Sequence, residues 1–322
     1  ILDADETNPL FNRAAQAGYA PGSTFKLITA YAALDSGLLG DRGYLKRTQF
    51  LLDEGTWTIP GCLGTGCVLR NANNKDLGAV DLQLAITESS NVFFGQLGYQ
   101  FNVRQGFQSQ QLIDVAKDFG YGLDYAAVPN ANAGQVPAPG SAGESANMAV
   151  GQGSVLATPL QIANSYAAIA NRGRVYSPML AEAVIDAATG EVLREFPTRL
   201  IHELYMPDEF YRPLVDGLAG VTQHPEGTAY SAFENFPSTG FTVCGKTGTV
   251  ENPPKQDNAT FAAFAPCRNP RYAAVAYIEQ AGLGGEAAAP VVAAVFRRIA
   301  MGDIDVVPTV TEAENLISEA EA

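Results

Sequence analysis

Gly240-Phe241-Thr242-Val243-Cys244-Gly245-Lys246-Thr247 is the stretch on which the fold turns. Letter for letter it satisfies G-x-x-x-x-G-K-T, the loop that cradles phosphates between an apolar strand and a helix. Neither neighbour is there. Asn235-Phe236-Pro237-Ser238-Thr239 precedes it, and Gly248-Thr249-Val250-Glu251-Asn252-Pro253-Pro254 follows, where glycine and two prolines do not open a helix. The would-be loop interior, Phe-Thr-Val-Cys, is itself strand-like. The stretch reads as a strand over 241–250, and the nucleotide-hydrolysing reading is rejected.

Two more strands, 259–265 and 272–279, follow after short connections, so the three run antiparallel. A helix over 290–301 closes the ordered part, and an acidic tail begins at 303. Working upstream, 208–221 is helical, and strands over 175–185 and 192–196 flank a turn at Asp186 to Gly190. A helix over 158–172 has Pro159 in its first turn. The Gly/Pro/Ala/Asn-rich stretch 129–143 is a loop. Residues 110–119 form a helix stopped by Gly120-Tyr121-Gly122, and 79–101 is helical with a polar break at Glu88-Ser89-Ser90-Asn91. A helix over 22–37 is capped by Ser23 or Gly22 and ended by Gly37. The pattern predicts an α+β chain: an antiparallel sheet with packed helices plus a mainly helical lobe over 40–157, in one domain spanning 1–302.

Composition narrows the function. Of 322 residues, 20 are Lys or Arg and 34 are Asp or Glu, a net charge of −14. The cations form no cluster, which argues against a nucleic-acid partner. No run approaches the ~20 apolar residues that span a bilayer. The 4 cysteines allow three pairings. Cys62 and Cys67 flank a Gly-rich turn suited to a short disulfide loop, and Cys244 and Cys267 lie on segments that pack as neighbouring strands. At least one disulfide is expected, hence an oxidising compartment. The 2 histidines, His202 and His224, are too few and too distant for a Cys/His metal site or a Ser-His-Asp triad.

Serine chemistry without histidine needs another base, and a desolvated lysine serves. Ser23-Thr24-Phe25-Lys26 offers one: residues three apart on a helix share a face, so Lys26 Nζ can reach Ser23 Oγ. The helix N-terminus there favours developing negative charge. About one Ser-x-x-Lys per chain of this size arises by chance, so the pair needs company. Lys246-Thr247-Gly248-Thr249 supplies it. On a strand, Lys246 points to one face and the hydroxyls of Thr247 and Thr249 to the other, while Gly248 lets a ligand backbone approach. Hydroxyls beside an amine suit a carboxylate. Ser-x-Asn occurs twice, as Ser89-Ser90-Asn91 and Ser145-Ala146-Asn147. The first sits in a polar break, as a cleft-lining corner would. The second precedes Gly151-Gln152-Gly153, reads as a helix start, and is set aside.

In this order the three motifs form the set of the penicillin-recognising serine enzymes, and the chain resembles the transpeptidase domain of penicillin-binding proteins. The likeness extends to Tyr19-Ala20-Pro21-Gly22 before Ser23, to Gly151-Gln152-Gly153 and Ala157-Thr158-Pro159-Leu160-Gln161, and to Gly245 before Lys246. It covers about Asn12 to Met301, and its cast resembles monofunctional, class B-like actinobacterial transpeptidases. The usual strand upstream of the active-serine helix, the N-terminal non-catalytic domain and the membrane anchor are not in this chain.

The resemblance implies a D,D-transpeptidase. Ser23 attacks the penultimate D-Ala carbonyl of a peptidoglycan stem peptide, or a β-lactam ring, and Lys26 takes its proton. Ser89 relays a proton to the leaving amine and Asn91 holds the substrate amide. Lys246, Thr247 and Thr249 bind the terminal carboxylate beside Gly248, and the N–H groups of Ser23 and Thr249 form the oxyanion hole. It implies no metal or organic cofactor. The implied partners are stem peptides, β-lactams and cell-wall synthesis or divisome proteins, at the extracytoplasmic face of a bacterial plasma membrane. The alternatives on one site are a D,D-carboxypeptidase, a serine β-lactamase and a β-lactam-sensing receptor domain. For class A β-lactamases the nearest match to the deacylating Glu-x-x-Leu-Asn is Glu144-Ser145-Ala146-Asn147, which lacks the spacing and the Leu.

Overall fold

The computed structural model describes residue 8 and residues 10–40, 51–63, 66–104, 109–236 and 241–302. The acidic tail, the start of the helical lobe at 41–50, and residues 237–240, which include Gly240 of the rejected phosphate loop, lie outside these. The chain enters through a short helix, α1 (Arg13–Gln16), and a 3-10 turn, Gly22–Phe25, that runs straight into α2 (Lys26–Asp35). Two small antiparallel pairs follow: β1 (Leu51–Asp53) with β4 (Gly78–Val80), enclosing β2 (Thr56–Thr58) with β3 (Val68–Arg70). Then come α3 (Leu82–Thr87), α4 (Asn91–Val103), α5 (Ser109–Asp118), α6 (Ala142–Ala149) and α7 (Pro159–Ala170). β5 (Arg174–Tyr176) pairs with β8 (Leu200–Glu203), and β6 (Ala183–Ile185) with β7 (Val192–Glu195). Helices α8 (Asp208–Gln223) and α9 (Tyr230–Phe233) lead to the main sheet, and α10 (Gly284–Met301) closes it.

Side-chain oxygens start the helices that matter for the site. Asp81 accepts from Leu84 N at the start of α3 (2.8 Å), and Ser90 from Phe93 N at the start of α4 (2.8 Å). Thr158 and Gln161 bond each other's backbone N–H reciprocally at α7, satisfying two otherwise free donors.

The main sheet runs β11 (Tyr272–Ile278), β10 (Asn258–Ala265), β9 (Cys244–Val250), antiparallel throughout. Every residue of β10 from Ala259 to Ala265 is buried, so both faces are covered. Register divides those faces. Cys244, Lys246 and Gly248 share one with Thr260, Ala262 and Phe264. A Cβ at Gly248 would meet Thr24 Cγ2 at 3.3 Å, so this is the face toward the 3-10 turn and α2. The other face carries Phe261, whose ring lies 5.7 Å from that of Phe233 on α9. A Cβ at Gly284 would meet the carbonyl oxygens of Gly248 and Thr260 at 2.3 and 2.4 Å, which is how closely α10 begins against the sheet.

The α+β expectation holds, and several boundaries differ. The helix over 22–37 is a 3-10 turn followed by an α-helix, and neither Ser23 nor Gly22 caps it through a side chain. The predicted strand over 175–185 is two strands with separate partners, because β8 returns to β5 around the β6–β7 hairpin. Helix α6, expected to start near Ser145, starts at Ala142 behind Ser141. Helix α10 starts at Gly284, ahead of the expected 290, and carries Pro290 inside it. Both cysteine pairings are present, Cys62–Cys67 and Cys244–Cys267.

Candidate active site

Gly22 fixes where Ser23 stands. Its φ is +55°, a conformation that side chains resist, and its N–H donates to Gly151 O at 2.9 Å. A Cβ there would sit 2.9 Å from Val250 Cγ2 and 3.0 Å from Thr249 O, so the serine turn lies against β9. The turn is braced from both sides: Thr24 Oγ1 donates to Pro21 O (2.6 Å), and Tyr166 OH of α7 donates to Thr24 O (3.1 Å). Thr29, one turn into α2, donates to Ala149 O (2.8 Å). Ser23 itself is half-buried.

Lys26, the first residue of α2, is fully buried. Its Nζ donates to Ser89 O (2.7 Å), Ser89 Oγ (3.1 Å) and Asn91 Oδ1 (2.6 Å), and lies 5.7 Å from the centre of the Phe94 ring. The reach to Ser23 Oγ expected from helical spacing is not the contact made; Lys26 is turned into the Ser89–Asn91 corner. Burial pushes Lys26 well below the ordinary lysine value, the nearby Lys246 cation pushes the same way, and Asp53 opposes them. An ammonium donates to all three oxygens. The neutral amine keeps two of these bonds and turns a lone pair to a hydroxyl proton.

Ser89 and Asn91 come from the link between α3 and α4. Ser89 has φ +61°, unusual for a residue with a Cβ, and it turns the chain so that its carbonyl, its hydroxyl and Asn91 Oδ1 converge on one nitrogen. Asn91 Nδ2 donates to Arg70 O of β3.

Lys246 is also fully buried, and burial lowers it to about 7. Its Nζ donates to Thr247 O at 3.2 Å. The two threonines face the other way, as alternation predicts: Thr247 Oγ1 lies 2.7 Å from Thr228 Oγ1, and Thr249 Oγ1 accepts from Gly284 N (3.4 Å). Gln152 Nε2 donates to Thr249 O at 3.3 Å, tying the Gly151-Gln152-Gly153 turn to the strand. A cleft of about 720 Å³ runs past Asn91 and Val250, with Arg70, Asn147, Gln152 and Glu251 among its walls.

All three motifs therefore meet, from α2, the α3–α4 corner and β9. The set-aside triplet does not join them: Ser145 is buried inside α6 with its Oγ donating to Gly98 O (2.7 Å). Sequence reasoning missed Thr228 and the residues behind the corner, Asp53 and Asn71, because nothing local marks them. Gln152 lies in the Gly151-Gln152-Gly153 segment that carries part of the resemblance, but nothing there marks its tie to Thr249. Among the described residues no His/Cys/Asp/Glu group could hold a metal ion, and no helix is long and apolar enough to cross a membrane.

Known proteins resemble this arrangement over almost the whole chain. Residues 3–300 match the penicillin-binding protein transpeptidase domain model. The chain is 28% identical over 314 residues to peptidoglycan D,D-transpeptidase MrdA of Haemophilus influenzae, covering 89% of this chain and 45% of that protein. It is 29% identical to peptidoglycan D,D-transpeptidase PbpA of Mycobacterium tuberculosis, covering 94% and 59%. It thus spans about half the length of these curated relatives. Among solved structures, Pseudomonas aeruginosa PBP2 in complex with WCK 5153 superposes with a TM-score of 0.77 at 26% identity, over 94% of this chain and 63% of that one. The imipenem acyl-enzyme of M. tuberculosis penicillin-binding protein A gives 0.75 at 26% identity, over 91% and 63%. Three converging motifs, the family model and these neighbours agree: this chain belongs to the penicillin-binding protein transpeptidase domain family, of the class B type.

Proposed function

We propose that this chain is a D,D-transpeptidase domain that cross-links peptidoglycan stem peptides through a Ser23 acyl-enzyme and is acylated and inhibited by β-lactams. The observation that carries the reading is Lys26: a fully buried amine at the start of the helix that follows Ser23, held by Ser89 and Asn91 and biased toward its neutral form. An amine in that state accepts a proton, which an exposed lysine at neutral pH does not.

Ser23 Oγ loses its proton to Lys26 as it bonds to the penultimate D-Ala carbonyl carbon. The backbone N–H groups of Ser23 and Thr249 receive the oxyanion. The tetrahedral centre then expels the terminal D-Ala amine, which takes its proton by way of Ser89, and an ester to Ser23 remains. A second stem peptide's amine attacks that ester, restores the Ser23 hydroxyl and forms the cross-link. Asn91 holds the donor's amide. Lys246, Thr247 and Thr249 receive the terminal carboxylate, with Gly248 leaving room for the substrate backbone.

The domain reading keeps 1–302 as one transpeptidase domain with a mainly helical lobe over 40–157. The two disulfides support an oxidising, extracytoplasmic location, with an anchor supplied by the full-length protein. Cell-wall synthesis proteins are the partners this reading implies. One structural neighbour is a peptidoglycan synthase complex that coordinates polymerization and crosslinking, at 29% identity and a TM-score of 0.75, covering 95% of this chain and 50% of that one.

Intact-mass spectrometry with a penicillin tests the proposal. A one-to-one adduct that persists for hours, together with D-Ala release and cross-linked product from a stem-peptide pair in a separate penicillin-free reaction, supports a transpeptidase. Rapid clearing of the adduct with penicillin consumed would make this a β-lactamase. D-Ala release without cross-linking would make it a carboxypeptidase, and a lasting adduct with no D-Ala release a receptor.

A further inference from the structure

Behind the Ser89-Ser90-Asn91 corner lies a carboxylate that the reaction above does not use. Asp53, the last residue of β1, is fully buried. Its Oδ1 accepts from Gly55 N (2.9 Å) and Asn71 Nδ2 (2.8 Å), and its Oδ2 from Asn71 Nδ2 (2.9 Å) and the Ser90 hydroxyl. Asn71, 7% exposed, presents its own Oδ1 to Asn91 N at 2.8 Å. The carboxylate thus grips the corner by two arms, one through the Ser90 side chain and one through Asn71 to the Asn91 backbone. Among the described residues no cation pairs with Asp53.

A buried, unpaired carboxylate is an expensive way to pack a corner, and apolar residues of similar volume do that at less cost. The corner it grips is the one whose left-handed Ser89 turns three oxygens onto Lys26. A fixed acceptor with several lone pairs holds Ser90 and Asn71 in one geometry, which a loosely packed apolar contact does not.

We propose that Asp53 is a positioning residue for the acylation reaction, acting through Ser90 and Asn71 to hold Ser89 and Asn91 where they grip Lys26. Its charge has a second consequence. The charged groups facing Lys26 are Lys246 from β9 and Asp53 from β1, while Glu88 at the end of α3 is engaged by Lys75. Asp53 raises Lys26 against the effects of burial and of Lys246, so removing its charge lowers Lys26 further. This inference rests on Lys26 being the acylation base.

The test follows acylation by a fluorescent penicillin against pH in Asp53→Asn and Asn71→Ala, with near-ultraviolet circular dichroism to verify folding. Both variants slow acylation on the order of 10- to 100-fold, the scale of a small misplacement of a reacting group. In Asp53→Asn the rising limb of the pH profile also moves to lower pH, whereas Asn71→Ala, which keeps the carboxylate, leaves it in place. A purely structural role would lower the rate of both without moving either limb. Folded variants that acylate like the unsubstituted chain overturn the proposal. Where Asp53→Asn does not fold, Asn71→Ala decides alone, and an unchanged rate in it is fatal. An unsubstituted chain that forms no adduct would sink the Ser23–Lys26 reading instead, so the two failures are distinguishable.

Discussion

Ser89-Ser90-Asn91 and Ser145-Ala146-Asn147 share the letters Ser-x-Asn and both asparagines line the cleft, but the two triplets sit in different backbone settings and bond different partners. The first lies between two helices, with Ser89 left-handed and its oxygens, together with Asn91 Oδ1, aimed at a buried lysine. The second lies inside α6, where helical geometry spreads the same side chains over different neighbours: Ser145 bonds Gly98 O, and Asn147 Nδ2 bonds Gly66 O and Gly143 O. What makes the triplet chemical is the break in the helix, because only there can a carbonyl, a hydroxyl and an amide two residues on converge. A continuous helix satisfies its own carbonyls and has none to aim.

The contrast can be broken at either triplet. The largest effect is expected at the corner: Ser89→Ala lowers β-lactam acylation roughly 10²–10⁴-fold, the usual scale for a proton-transfer group. Asn91→Ala, which loses a positioning contact to Lys26, lowers it by on the order of 10²-fold. The same change at Ser145 leaves acylation of the folded protein unaltered. Stopped-flow acylation of the three variants checks this, and equal losses at both triplets would erase the distinction.

The pH profile sharpens it next. Lys26 works neutral, so acylation falls as pH drops through its depressed value. Lys246 works charged, so kcat/KM falls as pH rises through about 7. Arginine stays protonated, so Lys246→Arg retains whatever activity it has across that upper limb. An unchanged falling limb in Lys246→Arg would assign it to another group.

Stability effects are smaller and belong to the second triplet. A Cβ at Gly98 would lie 2.5 Å from both Ser145 O and Ala149 Cβ, so Gly98→Ala forces α4 off α6 and costs about 1–3 kcal/mol by denaturant titration. Ser145→Ala removes one donor from Gly98 O and costs about 1 kcal/mol. Smallest is Lys75→Met. It breaks the pairs to the mostly covered Glu88 and the exposed Glu226, shifts the denaturant midpoint little because such pairs contribute little net stability, and leaves acylation alone although Glu88 adjoins Ser89.

Much of this was legible in the chain. The polar break at 88–91 between apolar runs marked the corner, and the residues around Lys246-Thr247 excluded a phosphate loop because a strand continues where a helix would have to begin. What could not be read is long-range. Asp53 and Asn71 are 18 residues apart and look like ordinary loop residues until β1 and the end of β3 bring them behind Ser90. Helical spacing allowed Lys26 to reach Ser23, but three acceptors on two residues more than 60 positions along the chain, Ser89 and Asn91, compete for its nitrogen and hold it. The β5–β8 pairing was hidden for a related reason. A hairpin interrupts it, and alternation alone made 175–185 look continuous. The packing of Gly151 against the serine turn is equally silent in the letters: a Cβ there would come within 1.8 Å of Gly22 O.

Peptide mapping of the penicillin adduct tests the central claim most directly. After the protein is acylated and digested, tandem mass spectrometry should find the added mass on Ser23 alone, and Ser23→Ala should carry none. An adduct on any other residue, or one that survives in Ser23→Ala, would contradict the account.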